Sequence, residues 1–189
     1  MLQYLTMLLT VLHFCFMPYN AQAEPSQEEK VTALMFTPPE GWLSANPKNL
    51  SPRVKAMVIG SGSATYPPSI NLTLEDYKGS LKEYLKIVKA INDSQNAEWK
   101  NLGTIHTEAG KGSLSQVDME TNWGTVRLMH VIIVKDGQAY IMTAAALKDE
   151  FPRYYSDFFK SMQSLRFGEI APEQLTANLY ESTVRTQRK

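Results

Sequence analysis

Three histidines, a single cysteine and a few paired carboxylates carry the reactive chemistry of this 189-residue chain. Beyond the apolar N-terminal run only His106 and His130 remain. No H-x-x-H, H-x-x-x-H or H-E-x-x-H spacing joins them, so no familiar zinc motif is encoded. His130 shares a strand face with Leu128 and Ile132, which predicts a core or edge histidine with one satisfied hydrogen bond. His106 alternates with Ile105 and falls on the polar side of its strand. A site combining both histidines with Glu108 or Asp118 requires their strands to pair, and His106 is the candidate polar site residue on that basis. An unrecognised hydrolase would have to use His106 with such a carboxylate.

Serine chemistry is no better signalled. Gly60-Ser61-Gly62-Ser63-Ala64 meets neither G-x-S-x-G nor G-x-G-x-x-G and reads as a flexible loop. Glu28-Glu29 lies in a polar lead-in, and Asp149-Glu150 sits at a helix start, where acids favour the positive end of the helix dipole. Sequons at Asn49, Asn71 and Asn92 matter only in a eukaryotic secretory host, and Asn71 falls inside a strand. The remaining candidates are aromatic. Trp123 stands at a turn and Tyr66 precedes Pro67-Pro68 in a long loop, and large rings at loop tips suit a partner-binding surface. Each could instead fold back over a sheet edge. Trp42 is read as core. No catalytic residue, metal site or cofactor is expected.

The run Met1–Met17 is almost wholly apolar and uncharged, and Ala21-Gln22-Ala23 follows a helix-breaking Pro18. Small residues at −3 and −1 fit a signal peptidase pocket, so residues 1–23 are read as a signal peptide cleaved after Ala23. The run is shorter than the roughly 20 apolar residues of a spanning helix, although it lacks a basic start, and an uncleaved anchor is the rival. The expected location is periplasmic or secreted. The only cysteine, Cys15, leaves with the signal, which removes disulfides, thiolate nucleophiles and cysteine-bound metals together. Nineteen basic and nineteen acidic residues balance, which argues against nucleic acid as a partner.

Positioning these residues requires a sheet and two helices. Residues 24–32 read as a disordered lead-in. Strands are predicted at Ala33–Phe36, Val54–Gly60 and Ile70–Leu74. Ser80 and Glu83 form a capping box ahead of the stripe Leu81, Tyr84, Leu85, Val88 and Ile91. Strands follow at Trp99–Glu108, Leu114–Thr121, Thr125–Lys135 and Gln138–Ala145. The third of these is apolar on both faces, hence central, and Asp136-Gly137 predicts a tight hairpin to the fourth. A second helix spans Lys148–Leu165 with the stripe Phe151, Tyr155, Phe158, Met162 and Leu165, and Pro152 is tolerated in its first turn. Residues 168–189 are read as a C-terminal helical arm. Strands clustered after a helix point to an α+β domain with a mainly antiparallel sheet.

Met35-Phe36-Thr37-Pro38-Pro39-Glu40-Gly41-Trp42 resembles the F-x-x-P-x-G-W opening of PsbP-like domains. Ser164-Leu165-Arg166-Phe167 is similar to their S-F/L-x-F ending. The resemblance covers residues 33–167 and points to the PsbP/Mog-like superfamily, which includes the DcrB-like bacterial envelope proteins. It implies an α/β/α sandwich and a class whose members mostly bind or assist other proteins. No functional residue carries over by motif. The expectation is a non-enzymatic envelope protein that binds a protein partner or helps assemble a complex. A small-ligand carrier using a deep apolar cleft between sheet and helix is the alternative, and a secreted effector is a further one.

Overall fold

The computed structural model describes residues 31–62 and 65–170. The expected signal peptide, most of the lead-in and the arm beyond Ile170 lie outside the described residues. In chain order the elements are β1 (Val31–Met35), β2 (Leu43–Ser44), β3 (Val54–Ile59), β4 (Ser69–Asp76), α1 (Leu81–Ser94), β5 (Glu98–Thr107), β6 (Gly110–Thr121), β7 (Gly124–Lys135), β8 (Gln138–Leu147), α2 (Phe151–Gln163) and β9 (Arg166–Ile170). Seven strands form one sheet in the order β2-β3-β4-β8-β7-β6-β5, with every neighbouring pair antiparallel. Strand β7 lies inside the sheet, as its two apolar faces require. The fold is α+β, with α1 on one face and α2 on the other.

Local chemistry explains the elements. Ser80 and Glu83 close the capping box, with Glu83 N–H donating to Ser80 Oγ and Ser80 N–H to Glu83 Oε2. Asp136 (φ 52°) and Gly137 (φ 76°) both take the left-handed conformation that a two-residue turn between twisted strands needs. Under α2 the sheet presents Ile70, Leu72, Met129, Val131 and Met142, with Ala144 and Ala146 letting the helix approach closely. Phe151, Phe158 and Met162 fill that layer, each burial stabilising by about 1.5–3 kcal/mol. Trp42 closes one side, meeting Phe158 edge-on at 5.9 Å and Tyr154 at 6.2 Å. It lies flat on Gly60, where a Cβ would fall 2.5 Å from the indole.

Three expectations change. Helix α2 begins at Phe151, because β8 continues to Leu147 and the chain needs residues 148–150 to turn. Tyr155 is off the buried stripe and 49% exposed, stacked on Phe159. The stripe rotates toward Tyr154 because Trp42 forms a wall there and Tyr154 Oη donates to the Ser61 carbonyl at 3.2 Å. The chain after Leu165 forms β9, a strand paired antiparallel with β1 from Val31↔Ile170 to Met35↔Arg166. The ribbon packs on the α2 face, with Phe167 edge-on to Tyr140 at 5.2 Å and Lys135 Nζ 4.4 Å above the Phe167 ring. Strand pairing thus begins at Val31 and continues past Phe167.

One acid is buried at the margin of this layer. Asp118 is 6% exposed and accepts from Arg127 Nε and NH2, both at 2.7 Å, and from Lys148 Nζ at 3.0 Å. Hydrogen bonding from Arg127 outweighs the desolvation cost and holds the Asp118 carboxyl down at about 2. A depressed carboxyl stabilises the fold above its unfolded value of about 4 and loses that contribution as pH falls toward 2. Asp118→Ala leaves two cations facing each other, so it is expected to lower unfolding free energy by about 3 kcal/mol in urea denaturation at pH 7. It should also flatten the acid limb between about pH 4 and pH 2.

Candidate functional site

The two sheet faces are covered unequally. On the α2 face the helix, Trp42 and the β1–β9 ribbon complete the layer. On the α1 face Tyr84 is buried and Leu81, Leu85 and Val88 are partly buried against Ile132 and Ala139. Further along the helix Ile91, the last residue of its apolar stripe, is 51% exposed. An open trough of about 260 Å³ lies between α1 and strands β4, β8, β7 and β6. Its walls are Tyr84, Val88, Ile91, Asn92 and Gln95, and its floor includes Met119, Leu128, His130, Ile132 and Ile141.

Strand register sets His130 in a polar row, of which His130 itself lines the trough. Ser115, His130, Thr143 and Asn71 are successive partners across β6, β7, β8 and β4. His130 Nδ1 and Thr143 Oγ1 are 2.9 Å apart. Burial pushes the His130 imidazole down to about 4, so it is neutral at pH 7. Ser115 is 0% exposed and its Oγ has no partner among the described residues. The one carboxylate in the wall, Glu75, accepts from Tyr84 Oη at 2.7 Å and pairs with Arg53 at 3.3 Å.

The turn between β6 and β7 carries Trp123, and Tyr66, from the loop between β3 and β4, meets it there. Trp123 is 54% exposed, and its ring centroid lies 5.7 Å from that of Tyr66. Tyr66 is half-buried, and its phenol is raised above its ordinary value by burial. The structure therefore brings together two rings that the sequence separates. It does not bring His106 to His130 or to Asp118. His106 pairs with Lys111 at the far end of β5, whereas Asp118 pairs with Glu98 at the other end, roughly 25 Å along the strand. His130 sits two strands in, opposite Ser115. The polar row was hidden in the sequence because no motif links its members.

No protein-family model and no curated protein sequence matches this chain. Solved structures do. The crystal structure of LpqN, involved in cell envelope biogenesis of Mycobacterium tuberculosis, superposes with a TM-score of 0.54 at 14% identity, covering 75% of this chain and 87% of LpqN. The chain shares the overall fold of LpqN. The solution structure of cyanobacterial PsbP from Synechocystis gives a TM-score of 0.47 at 10% identity, over 78% of this chain and 99% of that one. The Ran-binding protein Mog1p of Saccharomyces cerevisiae gives 0.43 at 15%, over 84% and 94%. At such identities the likeness is one of architecture alone, and no side chain transfers with it.

The buried imidazole makes a measurable prediction. Between pH 6.5 and 4 the unfolded chain protonates His130 and the folded chain does not, so stability falls as pH drops through that window, by about 3 kcal/mol in all. His130→Gln should remove that slope when urea midpoints are compared across pH. The ring Cε1–H NMR signal of the native protein should titrate near 4.

Proposed function

We propose that this chain is an exported, non-enzymatic protein of the cell envelope that binds a protein partner, with Trp123 and Tyr66 at the contact. The observation that carries this reading is the over-half-exposed Trp123 packed on Tyr66 at the turn joining the paired strands β6 and β7. A large ring held on a rigid turn loses little entropy on docking, and tryptophan and tyrosine dominate the energetics of protein interfaces. The apolar run and Ala21-x-Ala23 support export. LpqN, which shares the fold, is a protein of cell envelope biogenesis, and that is consistent with an envelope role here.

The test is affinity capture from envelope extract with the native protein, Trp123→Ala and Tyr66→Ala, each checked for unchanged urea stability. The native protein should retain a specific partner. Trp123→Ala should weaken a purified pair by at least about 2 kcal/mol, some thirtyfold in affinity. Equal retention by Trp123→Ala excludes this contact surface, and a turnover activity without any partner overturns the reading as a whole.

A further inference from the structure

We infer that the trough between α1 and the sheet is a binding site for a small, uncharged amphipathic molecule, whose polar group hydrogen-bonds to His130 while its apolar part lies against α1. This site is separate from the Trp123–Tyr66 surface, and either can fail without the other.

The chemistry of the floor is the first argument. The face of a sheet beneath a helix is normally apolar, yet three of the four central strands each place a polar side chain abreast of His130 or its neighbour Thr143. Thr143 occupies one ring nitrogen of His130, and Nε2 has no protein partner among the described residues. Ser115, directly abreast, is completely buried with an orphaned hydroxyl. A buried hydroxyl without a partner costs about 1–3 kcal/mol. Ser115 itself does not line the trough, so the group left open to a ligand there is His130, on the side of the imidazole away from its Thr143 contact. A ligand hydroxyl or amide, able to donate and accept, supplies what the protein does not.

The walls set the rest of the ligand. Val88 and Ile91 of the wall and Met119, Leu128, Ile132 and Ile141 of the floor surround His130 with apolar side chains, which is the inverse of a surface built only to face water. The volume, about 260 Å³, is roughly that of eight or nine liquid waters, enough for a short alkyl chain or one ring and too small for a lipid. Charge decides against ions. Glu75 is already engaged by Tyr84 and Arg53, so it repels an anion without being free to hold a cation. Among the described residues no lysine or arginine lines the trough. The open top differs from the deep cleft expected of a carrier, and points to reversible binding.

The experiment is an NMR titration of isotope-labelled protein with 1-octanol, octanoate and octylammonium as probes. Octanol should produce saturable shifts in the His130 ring and in the amides of Leu128, Ile132 and Ile91. The two charged probes should bind at least tenfold more weakly. His130→Leu, which keeps the volume and removes the hydrogen bond, should weaken octanol at least tenfold. Ile91→Asp, at an exposed rim position that leaves the core intact, should do the same and serves if His130→Leu does not fold. The inference is overturned by any of three results: no saturable octanol shift at the trough, octanoate binding as tightly as octanol, or octanol affinity unchanged in the folded variants.

Discussion

A helix about 10–12 Å across has to shelter a sheet seven strands and roughly 29 Å wide, and nearly every feature of this protein answers that mismatch. On the α2 face the deficit is made up by other parts of the chain. Trp42 closes one flank, and the β1–β9 ribbon with Phe167 closes the other. On the α1 face no described element takes that role. The strands that α1 leaves uncovered compensate with composition instead, and that is where Asn71, Thr73, Thr143 and His130 are found. The trough opens where one helix runs out of width.

This division also explains what the sequence makes legible. The capping box at Ser80 and Glu83, the Asp136-Gly137 turn and the two-sided apolar pattern of β7 are local signals, each settled within a dozen residues, and the structure bears them all out. The F-x-x-P-x-G-W opening is informative for a related reason. Its tryptophan is the residue that seals the α2 layer, and the nearby Gly60 yields it space. The α+β class follows from those elements in order.

Features that depend on distant partners stay hidden. Nothing near Arg166–Ile170 announces a strand, because its partner is the opening segment of the domain. The period of α2 includes Tyr155 as readily as Tyr154, and only Trp42 on one side decides between them. Ser115, His130 and Thr143 are unremarkable within their own strands and become a cluster only through register. His106 shows the converse: it looked reactive by residue type, yet the pairing of β5 with β6 leaves it beside Lys111, with Asp118 at the opposite end.

The β1–β9 ribbon has a mechanical consequence. Val31 and Ile170 are register partners, so the two ends of the described domain emerge side by side from one end of an antiparallel pair. Tension applied across those ends loads the ribbon as a zipper, breaking its hydrogen bonds one after another, whereas strands pulled from opposite ends would resist with all their bonds at once. The ribbon should peel at low force, while the seven-stranded sheet and its trough stay intact. A tether at either end could therefore be strained without distorting the surfaces on the opposite face.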